Sequence, residues 1–161
     1  MADSPRKEPF GAYFFTVEID LENIAYPFKS VSGLKSESAV VELEEGGFNT
    51  TTRKLVGRTK YPNIVLKRGF IGANSELYKW RQKMLNDLPG SSMGTGFRTR
   101  NRFGGIITQK GPNGTAAKWR FMSGWICKWE GPELDASKNE ISVETIEIAH
   151  EGLMMLPPET K

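Results

Sequence analysis

Cysteine and histidine are almost missing from this chain: Cys127 and His150 are the only ones. A lone cysteine rules out an intrachain disulfide, and one histidine with one cysteine rules out the usual His/Cys zinc cage within one chain. Long apolar runs are missing too. The longest charge-free apolar stretch, residues 9–17, falls far short of the ~20 residues that span a bilayer. Residues 1–8 have no apolar h-region, so no secretory signal is read there. Internal repeats, low-complexity tracts and a second-domain linker are also lacking, and 161 residues predict one domain with a real core.

Catalytic chemistry is thin. His150 sits beside Glu151 with no nucleophile or acid motif around it, so a structural or interfacial hydrogen bond suits it better than general-base work. Cys127, between Trp125 and Trp129, reads as a buried inert thiol. Glu42, Glu44 and Glu45 lack the spacing of a calcium loop, and Gly94-Thr95-Gly96 lacks the lysine and helix of a phosphate loop. The expectation is a non-enzyme with no metal and no cofactor.

What the chain does have is charge in blocks. The net charge is only +3. Residues 53–83 nevertheless carry nine basic side chains against Glu76, and residues 98–120 carry six basic and no acidic ones. Residues 37–45 carry four acidic and no basic ones, and residues 130–151 carry seven acidic ones against Lys138. Solvated strand faces give such blocks. So do complementary surfaces of opposite sign, which favour ordered association.

Hydropathy patterning predicts a mainly β chain. Residues 1–10, with Pro5 and Pro9, read as an arm. Residues 11–20 read as a strand with Tyr13, Phe15, Val17 and Ile19 on one face. In residues 39–45, Val41 and Leu43 alternate with Glu42 and Glu44, and Gly46-Gly47 then breaks the strand. A short strand covers residues 63–70. One helix is predicted over 74–88: Asn74 or Ser75 caps it, Leu77, Trp80, Met84 and Leu88 share a face, and Pro89-Gly90 ends it. Residues 105–110 and 115–129 form a hairpin around Gly111-Pro112-Asn113-Gly114, with Trp119, Phe121, Trp125 and Trp129 on one alternating face. In residues 140–150, Ile141 and Val143 lie on one face and Ile146 and Ile148 on the other, which predicts a bulge or two partly covered faces. The tail, residues 153–161, is apolar at Met154-Met155-Leu156 and needs a partner surface. The sum is a two-sheet β-barrel or sandwich with one flanking helix.

Three segments interleave cations with aromatics: Lys67-Arg68-Gly69-Phe70, residues 98–103, and Lys118-Trp119-Arg120-Phe121. Nucleic-acid stacking platforms use that pattern, and half-buried strands produce it as well. A nucleic-acid-binding β-domain therefore stands as an alternative.

Several segments together resemble a known family. They are Val31-Ser32-Gly33-Leu34, the acidic strand through Val41-Glu42-Leu43-Glu44-Glu45-Gly46-Gly47, Lys54-Leu55-Val56-Gly57 and Leu66-Lys67-Arg68-Gly69. After these come Leu77-Tyr78-Lys79-Trp80, Trp119, Gly131-Pro132, Leu134-Asp135-Ala136 and residues 144–152. In this order the chain resembles the tail tube proteins of contractile phages and phage-derived extracellular contractile injection systems. It departs at Tyr26-Pro27-Phe28-Lys29, where the family usually has a Gly-containing approach.

The resemblance implies the β-barrel fold shared with type VI secretion tube proteins. It implies homo-hexameric rings stacked into a hollow tube, a contractile sheath, baseplate or hub proteins, tube-terminating proteins, and a lumen cargo, protein effector rather than DNA. It implies no lipid-binding segment. It implies assembly in the cytoplasm and export as part of a particle or virion tail. A tube-initiating paralogue joining baseplate to tube is the narrower alternative. In the family the 44–60 region reaches the neighbouring ring. Glu42, Glu44, Glu45, the flexible Gly46-Gly47 pair, Arg53, Lys54, Arg58 and Lys60 are accordingly the candidate stacking residues. Lys79 and Lys83, on the exposed side of the helix, are candidates for sheath contact.

Overall fold

The computed structural model describes residues 14–20, 25–43, 52–70, 76–86, 102–111, 114–133 and 142–157. Its elements in chain order are β1 (Phe14–Ile19), β2 (Ala25–Phe28), β3 (Ser30–Ser32), β4 (Glu37–Leu43), β5 (Arg53–Lys60), β6 (Ile64–Gly69), α1 (Glu76–Asn86), β7 (Phe103–Gly111), β8 (Gly114–Glu130), β9 (Val143–Ala149) and β10 (Gly152–Leu156). Hydrogen bonding runs β2-β1-β7-β8-β9-β6-β3, with β10 also on β8; β4 and β5 form a separate two-stranded sheet. The long strand β8 belongs to two sheets. Its first part pairs with β7 and β10, and from Trp125 onward it pairs with β9. The ends of the path, β2 and β3, are consecutive in the chain, joined through Lys29, whose N–H donates to the Lys67 carbonyl at 2.8 Å. Chain continuity closes that seam, with no ladder between β2 and β3 among the described residues. The body is thus two sheets around one core, not a closed barrel. Pro27 is tolerated because β2 is an edge strand.

The core lies between the sheets. Val17, Ile19, Ile107 and Phe121 come from one sheet, and Ile64, Leu66, Ile146 and Ile148 from the other. Gly105 and Gly124 leave room for the Phe121 ring: a Cβ on either would sit within 2.6 Å of it. Helix α1 adds Leu77 and Trp80, both fully buried, and about 1.5–3 kcal/mol of burial each fastens it to the body. Arg81 reinforces the docking by donating to the Ile126 carbonyl at 2.8 Å. The predicted caps, Asn74 and Ser75, and the stop at Leu88-Pro89-Gly90 lie outside the described residues.

Two expectations are corrected. The first is the single aromatic face of β8. Ser123 has a left-handed backbone (φ 51), and the ladder with β7 skips a residue there. The ladder with β9 skips another between Ile126 and Lys128. Each extra residue turns the strand by one face. Trp119, Phe121, Ile126 and Trp129 therefore reach the core and Trp125 does not. The second is the bulge in β9; of the two readings, the two partly covered faces hold, with Val143, Thr145, Glu147 and Ala149 half-buried opposite the buried side. From Val143 the strand alternates without a break, with Glu144, Ile146 and Ile148 buried. An inward position is held by a carboxylate, not by an apolar residue. Glu144 lies opposite Arg68 and forms a buried ion pair with it; Trp129 Nε1 donates to its other oxygen at 3.0 Å. The Arg68 guanidinium also lies over the rings of Tyr26 and Phe28, at 5.8 and 5.6 Å.

Candidate assembly surface

The acidic and basic segments that composition marks are paired strands. β4 and β5 run antiparallel, with Val40 opposite Val56, Val41 opposite Leu55, Glu42 opposite Lys54, Leu43 opposite Arg53 and Glu37 opposite Lys60. The register slips between Ser38 and Val40, so Gly57 and Arg58 together face Ala39. Alternation puts Val40 and Val56 on one face and Val41 and Leu55 on the other. Neither face is covered. Val56 is 87% exposed, Val40 63% and Val41 49%. Every other residue of the two strands except Gly57 is exposed as well. An isolated two-stranded sheet is marginal in water, yet this one shows apolar residues on both sides.

Of the predicted stacking residues, Glu42, Arg53, Lys54, Arg58 and Lys60 come together on this hairpin. Glu44, Glu45, Gly46 and Gly47 lie outside the described residues. Opposite charges already meet within the hairpin, at Glu42 with Lys54 and Glu37 with Lys60. Sequence reasoning chose the charges and passed over Val40, Leu55 and Val56. The signal was there: Leu55-Val56 sits inside a basic segment with no burial pattern around it.

The root of the hairpin is braced against the body. Gly33, just after β3, has a left-handed backbone (φ +86), and a Cβ there would lie 2.1 Å from the Asn63 carbonyl oxygen. Only glycine allows that approach. On the returning side, Asn63 Nδ2 donates to Glu147 Oε1 at 2.7 Å. His150 lies beside it with a backbone carbonyl at each ring nitrogen, as a structural role predicts. Cys127 donates to the Glu147 carbonyl at 3.3 Å; burial, then the Glu147 charge, pushes its thiol above its ordinary value. That environment suits an inert thiol.

The other predicted surfaces are plainer. On α1, Lys79 pairs with Glu76 one turn earlier, and both Lys79 and Lys83 are exposed. Among the described residues strand β10 pairs with β8 alone, and it carries Met154 and Met155, 45% and 65% exposed. Its five residues bear no charge. The cation–aromatic segments are used internally: Arg68 pairs with Glu144, Arg102 with Glu151, and Arg120 with Asp20 at 3.1 Å, while Phe121 is core. Among the described residues no cluster of His, Cys, Asp or Glu could hold a metal ion, and no helix is long and apolar enough to cross a membrane.

A self-sufficient β body with an uncovered apolar hairpin defines a structural protein with surface left for partners. The chain belongs to the T4-like virus tail tube protein gp19 family, whose model matches residues 11–154. No curated protein sequence matches it. Solved structures do. A chain of the anti-feeding prophage tube-terminating cap superposes with a TM-score of 0.75 at 22% identity, covering 96% of this chain and 95% of that one. A chain of the PVC extracellular contractile injection system sheath–tube complex gives 0.72 at 24% identity, covering 94% and 93%. Hcp1 from Flavobacterium johnsoniae gives 0.54 at 15% identity, covering 89% and 94%. The chain shares their fold.

Proposed function

We propose that this chain is the subunit of the inner tube of a contractile injection particle. Six copies form a ring, and rings stack head-to-tail into a hollow tube. A surrounding sheath contracts and drives the tube, with a protein cargo in its lumen, through a target envelope. The observation that carries this reading is the β4–β5 hairpin: a braced element with exposed apolar residues on both faces, covered by none of the described residues, in a member of the tail tube family. Head-to-tail stacking joins two different surfaces and propagates without closing, so an arm that reaches into the next ring suits it.

A ring needs a second surface, and we assign that to the open, uncharged edge of β10, where a neighbouring copy can pair. Lys79 and Lys83 give α1 a basic outer side suited to an acidic patch on the sheath. Baseplate and terminating proteins close the two ends of the tube. The subunit folds in the cytoplasm and leaves the cell as part of the particle. It has no catalytic role.

Electron microscopy of the purified protein, with and without its co-expressed sheath and baseplate, tests the proposal. Hollow filaments one ring wide support it. Monomers under both conditions overturn it. The cap match supports a second reading, a few-copy subunit at one end of the tube. Copy number per particle by mass spectrometry separates the two.

A further inference from the structure

One side chain stands between the roots of the two elements that the proposed tube would use. The return strand β5 enters the body through Tyr61-Pro62-Asn63, and β10 begins at Gly152. Between them stands His150. Its Nε2 is 3.1 Å from the Pro62 carbonyl oxygen, and its Nδ1 is 3.0 Å from the Gly152 carbonyl oxygen. The ring is half-buried, against Tyr61 at 5.7 Å and Phe121 at 6.4 Å between centroids. Its chain neighbours are anchored on either side. Glu151 donates its N–H to the Met122 carbonyl at 3.0 Å and pairs through its carboxylate with Arg102. The backbone carrying the ring is therefore fixed, and the ring reaches from a fixed point to the root of the hairpin.

We infer that His150 is a positioning residue that holds the root of the β4–β5 hairpin to the fixed backbone at the start of β10. A neutral imidazole carries one N–H. With a carbonyl at each nitrogen, the hydrogen on Nε2 holds the Pro62 carbonyl and hence the hairpin root; the hydrogen on Nδ1 holds the start of β10. The hairpin link requires the Nε2 hydrogen. Gly33 packs closely against Asn63 at the same root, and the Asn63–Glu147 hydrogen bond holds it as well. The functional meaning rests on the tube reading above, whereas the coupling itself is read on the unassembled protein.

Two variants separate the nitrogens. In His150→Gln the amide N–H reaches the Nε2 position; in His150→Asn it reaches only the Nδ1 position. Amide exchange is measured on both as unassembled protein, alongside the parent. His150→Gln retains parental exchange at Tyr61 and Asn63, whereas His150→Asn speeds it about fivefold to tenfold there, the loss of one hydrogen bond. Tube length by electron microscopy follows the same order, with Asn short and Gln restored. Equal exchange in the two variants, or a change confined to β10, overturns the inference. Ring 15N resonances of the unsubstituted protein give a readout that needs no variant: hydrogen on Nε2 supports the inference, and a bare Nε2 overturns it. A parent that forms no tubes would remove the tube reading and leave the exchange result standing.

Discussion

The body and the hairpin use the same residue types in opposite ways. In the body, Val17, Ile64, Leu66, Ile146 and Ile148 are fully buried between two sheets. In the hairpin, the adjacent pairs Val40-Val41 and Leu55-Val56 put apolar side chains on both faces, and the described residues cover neither face. The body can be understood from its own contacts. The hairpin cannot, because its side chains are those of a buried strand without a layer to bury them. Apolar residues on both faces of a braced ribbon make a surface suited to a partner, and the proposed tube supplies one.

Substitutions in the two regions should therefore separate folding from assembly. The largest effect is expected in the body. Arg68→Ala strands the Glu144 carboxylate without its charged partner, and unfolding free energy should fall by about 3–5 kcal/mol in denaturant titration. An equally stable variant would mean that the pair is not buried as described. The hairpin should behave in reverse. Val41→Ser with Val56→Ser should change monomer stability by less than about 0.5 kcal/mol, as for exposed sites. It should nevertheless raise the concentration needed for tube growth by about tenfold or more, the cost of losing apolar burial in the assembly. Loss of monomer stability instead would place the hairpin with the body.

The charges come next. Arg53→Glu with Lys54→Glu should weaken tube growth about twofold to fivefold and reduce its salt sensitivity, while the melting curve stays unchanged. The effect is modest because Lys54 already faces Glu42 within the hairpin. Smallest of all, Lys79→Gln with Lys83→Gln should leave folding and tube growth intact and lower sheath recruitment in co-sedimentation. Normal recruitment would remove α1 from the sheath contact.

The same contrast explains what could be read from the sequence. Val17 and Ile19 in β1, and Leu77 and Trp80 in α1, follow simple periods because each packs on one side of a regular element. The faces of β8 could not be read, because the extra residues near Ser123 and Cys127 reset the period inside a continuous strand; Gly124 beside Ser123 was a signal for the first, and neither Gly nor Pro marks the second. The two apolar phases of β9 reflect two partly covered faces, Val143 half-buried on one and Ile146 and Ile148 buried on the other, and Glu144 at an inward position looks outward until its partner, Arg68, is known. Strand β4 was legible from the alternation at Val41 and Leu43; β5 was legible only as the basic half of a hairpin-like loop, and the charges as a pair of signed blocks. The exposure of the hairpin was not, since alternation is identical whether the covering layer is the chain's own or a neighbour's.

The central claim is that the β4–β5 hairpin is completed by another copy of the chain. Amide exchange compared between dissociated subunit and purified tube tests it most directly. The account predicts fast exchange at residues 37–43 and 53–60 in the subunit and strong protection in the tube, with β6, β8 and β9 protected in both. Equal exchange of the hairpin in the two states would contradict it.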